Sequence, residues 1–267
     1  MKIGVFDSGV GGLTVLQELL NAIPQADYLY LGDTARLPYG SKSATTIARY
    51  AVSSVRFLVD HGAEYLVIAC NTASALAMQE IRAAVSSEVL GVIEPGARAA
   101  SHITRSGSVC VIGTAATVSS HAYRNTLEKL GINALEKACP LFVPLVEEGW
   151  TDHPVTEQVA RIYLDELAGE QRSNSGQAAD VLVLGCTHYP LLKPLLRRVL
   201  PPSMQLVDSA QSTAHEAATH VASRPNSFSS NPHVCFFATD SVDKFRHLGT
   251  RFLGRRIENV ELIALPE

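Results

Sequence analysis

Lys2-Ile3-Gly4-Val5-Phe6-Asp7-Ser8-Gly9-Val10-Gly11-Gly12-Leu13 is the stretch on which the fold turns. Residues 2–6, apolar after Lys2, read as a short buried strand. Residues 7–12 form a glycine-rich turn. From Leu13 the apolar side chains fall at helical spacing, with Leu13, Leu16, Leu19 and Leu20 on one face. Strand, tight turn and amphipathic helix in that order open a βαβ unit. The pattern then recurs down the chain. Strands are expected at 28–31, 65–69, 89–92, 109–112, 141–143 and 181–184. Helices are expected at 47–61, 74–85, from 97, from 121, at 156–167 and after Pro194. Such alternation predicts α/β architecture with mostly parallel sheets and helices on both faces. The polar stretches 169–177 and 222–232 are expected to be loops.

Two segments share one design. Val67-Ile68-Ala69-Cys70-Asn71-Thr72 and Val183-Leu184-Gly185-Cys186-Thr187-His188 are each an apolar strand, a small residue, a cysteine and two polar residues. Upstream of each lies another strand ending in a small polar turn, at Asp7-Ser8-Gly9 and at Gly113-Thr114. The repeat predicts two similar α/β domains related by a pseudo-twofold axis, with an active site at the cleft between them. The first domain is expected over 1–97 with 208–267, the second over 98–207.

Composition narrows the function. The chain has 267 residues, 46% hydrophobic and 18% charged, enough to bury two cores. A net charge of −4 without a basic stripe argues against nucleic acid as a partner. Asp7 interrupts the first apolar run, so no signal peptide is expected there. No apolar run approaches the ~18 residues of a membrane span. A cytoplasmic protein with no membrane partner follows, and its five cysteines (70, 110, 139, 186 and 235) are expected to be thiols. An odd count fits no disulfide framework, and no two lie within four residues of each other, as a zinc site would need. No metal and no other cofactor is expected.

Cys70 and Cys186 stand apart from the other three. In open α/β sheets, ligands sit at the carboxyl ends of the strands, where both are placed. A free thiol titrates near ~8.5, close enough to neutrality to serve as acid or base. Two such thiols facing one carbon from opposite sides are what stereoinversion requires. One removes a proton and the other returns one to the opposite face. A cysteine in an apolar run is ordinarily packing, and Cys110, Cys139 and Cys235 are read that way. The turn at 7–12 lacks both the G-x-G-x-x-G and the Gly-Lys-Ser/Thr patterns, so it is read as a small-anion cradle rather than a nucleotide loop. His188 is either a tuner of the Cys186 thiol or a backbone-bonded histidine at a helix start. Glu147 and Glu148 on sequence alone read as a solvated pair.

An ordered set of segments resembles the glutamate racemase family. These are residues 4–15, Gly32-Asp33-Thr34-Ala35-Arg36-Leu37-Pro38-Tyr39-Gly40, Ala69-Cys70-Asn71-Thr72-Ala73-Ser74, Gly91-Val92-Ile93-Glu94-Pro95-Gly96, Ile112-Gly113-Thr114 with Ala116-Thr117-Val118, residues 139–149, and Gly185-Cys186-Thr187-His188-Tyr189-Pro190-Leu191. Leu37 stands where a valine is common. Beyond about residue 210 the chain is not distinctive. The resemblance implies an amino-acid racemase of the isomerase class that interconverts L- and D-glutamate without cofactor. It also implies two α/β domains, a role in supplying D-glutamate for peptidoglycan, and a homodimer. On the matched positions, Cys70 takes the proton from D-glutamate and Cys186 from L-glutamate. Asp7 and His188 assist them, and Glu147 is a further acidic residue near the second thiol. Ser8, Pro38, Tyr39, Gly40, Asn71, Thr72, Thr114, Thr117 and Thr187 fall where the family holds the substrate's amino and carboxylate groups.

Three other readings compete. A related racemase or isomerase for aspartate, a hydantoin or maleate would turn over its own substrate faster than glutamate. A non-catalytic amino-acid-binding module would bind glutamate without exchanging its α-proton. A thiol redox enzyme would need paired thiols, and no C-x-x-C motif exists here.

Overall fold

In the computed structural model, which describes residues 1–173, 177–223 and 228–266, four strands come first. They are β1 (Lys2–Asp7), β2 (Asp27–Gly32), β3 (Tyr65–Ile68) and β4 (Glu88–Gly91). Between them run α1 (Leu13–Ala22), α2 (Ala44–Asp60), α3 (Asn71–Leu76) and α4 (Met78–Ala84). A second set follows: α5 (Ile93–Ile103), β5 (Ser108–Gly113), α6 (Ala115–Ser119), α7 (Ala122–Lys129), β6 (Asn133–Ala138), α8 (Phe142–Glu147), α9 (Pro154–Ser173), β7 (Val181–Gly185), α10 (Lys193–Val199) and β8 (Gln205–Asp208). The chain then adds α11 (Ser209–Ala222), β9 (Val234–Ala238), α12 (Val242–Leu253) and β10 (Glu261–Leu262).

The strands form two sheets, ordered β10-β9-β2-β1-β3-β4 and β6-β5-β7-β8. All pairings among the described residues are parallel. The order β2-β1-β3-β4 matches β6-β5-β7-β8, so the sequence repeat corresponds to a repeat of topology. In each sheet the strand before a cysteine pairs with the strand ending in the small polar turn. Parallel strands buried on both faces read as near-continuous apolar runs. That describes Ser108–Gly113 and Val181–Gly185, buried at every position. α2 shows how a helix meets such a sheet. Ser43 caps its first turn by accepting from Thr46 N–H. Ile47, Ala51, Val55 and Leu58 then form one buried face and pack with Phe6, Leu29, Leu66 and Ile68.

The chain divides into two compact units, Met1–Val92 with the residues from Ala210 onward, and Ile93–Ser209. These boundaries differ from 97/98 and 207/208. A break at 97/98 would cut α5, which packs as one piece on α7 and β7. A break at 207/208 would cut β8.

Several elements depart from the sequence reading. Residues 74–85 are not one helix. Ala77 leaves helical backbone at φ −132 and ψ 3, separating α3 from α4. Ser74 pins that break by donating to Ile68 O at 2.8 Å and accepting from Val92 N at 3.2 Å. Residues 141–143 are not a strand. They open α8, where Pro144 sits in the first turn and its missing N–H costs no intrahelical bond. The strand is β6 instead. It lies at the sheet edge, which lets it carry Glu136 and Lys137. The expected loop at 169–177 is helical as far as Ser173. Residues 174–176 of that loop, and 224–227 of the expected loop at 222–232, lie outside the described residues.

Candidate active site: two thiol half-sites

The first half-site lies in the first unit. β1 ends at Asp7, and Cys70 follows the neighbouring strand β3 by two residues, so the two reach the same sheet edge. Asp7 is buried and its Oδ2 accepts from Gly9 N–H at 2.9 Å. Gly12 must lack a side chain, since a Cβ there would lie 2.5 Å from Asp7 Cβ. Cys70 caps α3, its sulfur accepting from Ala73 N–H at 3.4 Å. Its thiol donates to Ser8 Oγ at 3.4 Å. Burial, and then the Asp7 charge, push the Cys70 thiol up to about 12, against the opposing hydrogen bonds from Ser8 and Ala73. At neutral pH this group therefore holds its proton.

The segment after β2 completes this half. Asp33 is fully buried. It accepts from Arg36 Nε at 2.7 Å, from the Tyr39 hydroxyl at 2.5 Å and from Thr239 Oγ1 at 3.0 Å. Burial and the Asp33 carboxylate hold the Tyr39 phenol far above its usual range. The Tyr39 hydroxyl is thus committed to Asp33. The Leu37–Pro38 peptide is cis, Pro38 is exposed and Gly40 half-buried. The turn Tyr39–Ser41 packs against α3, whose first residues, Asn71 and Thr72, are buried. The first unit thus brings Asp7, Ser8, Tyr39, Cys70, Asn71 and Thr72 into one neighbourhood.

The second half-site lies in the second unit. Gly113 at the end of β5 pairs with Gly185 at the end of β7. Thr114 and Cys186 therefore leave the sheet side by side. Thr114 caps α6, accepting from Thr117 N–H at 3.3 Å, and the two hydroxyls are 2.9 Å apart. Cys186 is buried with its sulfur 4.0 Å from His188 Nδ1. The same nitrogen is 3.4 Å from Thr187 Oγ1. His188 Nε2 lies 3.2 Å from Oε1 of Glu147, the last residue of α8. Burial favours a neutral ring. The hydrogen bonds to Cys186 and Glu147, with their charges, outweigh it and raise His188 to about 10. The charged ring thus stands between the Cys186 sulfur and the Glu147 carboxylate. Glu147 is thus tied to this half-site by its bond to His188.

The structure adds residues that sequence reasoning passed over. Tyr30 is fully buried, its phenol is raised by that burial and then by the Asp7 charge, and it donates to Gly9 O at 3.0 Å. Asp33 is the hub of the segment that carries Tyr39, and its signal was present in the motif at 32–40. Tyr123 is fully buried beside the second half-site, with Cys186 among the charges that raise its pKa. Among the described residues, no three His, Cys, Asp or Glu are grouped as a metal would need. Among them too, no helix is long and apolar enough to cross a membrane.

Comparison with known proteins places these half-sites in context. Residues 3–217 match the family model described as Asp/Glu/Hydantoin racemase. A glutamate racemase of Koribacter versatilis is 56% identical, over 98% of this chain and 97% of that protein. The crystal structure of a glutamate racemase isoform from Bacillus anthracis superposes with a TM-score of 0.89 at 37% identity, over 99% of this chain and 97% of that one. That of glutamate racemase from Francisella tularensis in complex with D-glutamate gives 0.88 at 34% identity, over 98% and 97%.

Proposed function

The chain belongs to the Asp/Glu/hydantoin racemase family, and from that membership we propose that it interconverts L- and D-glutamate, with Cys70 and Cys186 as the opposed acid and base. It is an amino-acid racemase, and glutamate is the substrate its relatives' names favour. The observation that carries the two-thiol reading is the matched placement of the cysteines. Each follows the equivalent strand of a sheet with the same order, beside a turn of small hydrogen-bonding residues.

Each step balances. With L-glutamate, the Cys186 thiolate takes the α-proton, and the electron pair of the C–H bond stays on carbon. The Cys70 thiol delivers its proton to the opposite face. The products are D-glutamate, a Cys186 thiol and a Cys70 thiolate. The reverse reaction begins from that second protonation state. Two asymmetries support this assignment. Cys70 is held as a protonated donor, and Cys186 sits beside the His188–Glu147 pair. Asp7 attends the first thiol. Ser8, the Tyr39–Gly40 backbone, Asn71, Thr72, Thr114, Thr117 and Thr187 supply donors and acceptors for the ammonium and two carboxylates. The α-proton is weakly acidic, so donors that stabilise the developing carbanion carry much of the rate. The D-glutamate formed would serve peptidoglycan synthesis in the cytoplasm.

Incubation with L-glutamate in heavy water, without added cofactor, tests this. Loss of optical rotation with deuterium entering the product α-carbon is the expected result. Faster turnover of aspartate would move the substrate assignment. Binding without exchange would remove the enzymatic reading.

A further inference from the structure

The Gly9 peptide is held at both ends. Its N–H donates to Asp7 Oδ2 at 2.9 Å, and its carbonyl accepts from the Tyr30 hydroxyl at 3.0 Å. Tyr30 lies on β2 opposite Val5 of β1, so its ring reaches the turn that follows β1. Phe236 and Phe245 pack against that ring, with centroids 6.3 and 5.9 Å away. Gly32, two residues further along β2, closes in on the same carbonyl. A Cβ at Gly32 would lie 2.4 Å from Gly9 O. Ser8, joined directly to the anchored Gly9, is the residue whose hydroxyl meets the Cys70 sulfur at 3.4 Å.

We propose that Tyr30 is a positioning residue for Cys70: by fixing the Gly9 carbonyl, it keeps the Ser8 hydroxyl on the Cys70 sulfur. The role rests on the reading of Cys70 as an acid/base group. A hydroxyl at that sulfur stabilises the thiolate, which must form whenever Cys70 gives up its proton. Without the Tyr30 anchor the turn relaxes, and the thiolate loses a donor.

A buried tyrosine can also serve packing alone, and the same strand supplies the control. Tyr28 is equally buried, but its hydroxyl donates to Leu19 O and Ile23 O at the far end of α1, both at 2.9 Å. Tyr28→Phe therefore removes a comparable hydroxyl away from the thiol. Tyr30→Phe should lower kcat/KM on the order of 10-fold, the worth of one hydrogen bond to a charged group. The loss must be equal for both enantiomers, because the equilibrium constant of a racemisation is unity. The primary isotope effect with α-deuterated substrate then identifies the half affected. It should rise for D-glutamate, whose proton Cys70 takes, and not for L-glutamate. Alkylation of Cys70 by iodoacetamide, followed by peptide mass spectrometry, should shift to higher pH in Tyr30→Phe and not in Tyr28→Phe. Ser8→Ala should give the same shift, with no further shift when Tyr30→Phe is added.

Unchanged isotope effects and alkylation profile in Tyr30→Phe, or matching effects in Tyr28→Phe, would overturn the proposal. If the wild-type protein does not racemise glutamate, the functional reading falls but the alkylation profile still decides the positioning. A shift in Tyr30→Phe alone upholds it, and no shift overturns it.

Discussion

Glu147→Gln keeps the shape of the side chain and removes its charge from His188. The two groups meet at 3.2 Å with little solvent between them. Burial works against the charged ring, and the partners Cys186 and Glu147 together raise it to about 10. An opposite charge at this range moves a pKa by ~1–3 pH units. His188 in the variant should therefore titrate at about 7–9. Each pH unit corresponds to about 1.4 kcal/mol. The folded value lies above the ~6.5 of an unfolded chain, so the stabilisation is fully present below that pH. It is lost as pH rises through about 10. The variant loses the upper part of that window. It should be less stable than wild type by about 1–4 kcal/mol near pH ~6, with the gap closing toward pH ~10. Urea denaturation across that range measures the gap, and NMR of the His188 ring measures the titration. A gap that stays constant with pH, or an unmoved ring titration, would refute the assignment of Glu147 as the partner that keeps the ring charged.

The remaining predictions are more direct. Cys70→Ser and Cys186→Ser should each lower racemisation by at least ~10²-fold, because a serine hydroxyl is far less acidic than a thiol; full activity in either, assayed by circular dichroism, would end the two-thiol mechanism. Gly12→Ala should push Asp7 off the turn, since the new Cβ would lie 2.5 Å from Asp7 Cβ and 2.9 Å from Ala69 Cβ. A loss of about 1–3 kcal/mol in denaturant titration, together with reduced turnover, is expected. Cys110→Ser should leave turnover of the folded protein unchanged. That thiol is buried inside β5, and burial raises it to about 11.

The legible parts of the fold are those where burial is two-sided. β5 and β7 are apolar at nearly every position because helices cover both faces, so their sequences speak for themselves. β6 escaped because it is an edge strand. It alternates Ala134 and Glu136 inward with more exposed neighbours, and Glu136 is buried against His121 and Arg124. An apolar run at 141–143 drew the reading instead, although Leu141 is half exposed and Phe142 buried, as in the first turn of a helix. At the site, positions forced by local chain geometry were readable. The turn at 7–12 and the strand ends before Cys70 and Cys186 are local. Tyr30 and the Thr239 contact of Asp33 were not readable, since those partners come from distant parts of the chain. Nothing in an alternating strand says which tyrosine meets a peptide 21 residues earlier, or that Thr239 closes on Asp33 from 206 residues away.

That last separation matters for how the protein is made. The second unit is one continuous stretch, and its sheet can form as soon as it has been synthesised. The first unit is not. β2 pairs with β1 on one side, but its other edge waits for β9, and Thr34 waits for Asp240, 206 residues downstream. At ~5–20 residues per second the ribosome needs about 10–40 s to deliver that partner. Throughout that interval β2 is an open sheet edge, able to pair with another nascent chain. Each new molecule thus carries Tyr28, Tyr30 and the Asp33 hub on an unfinished border.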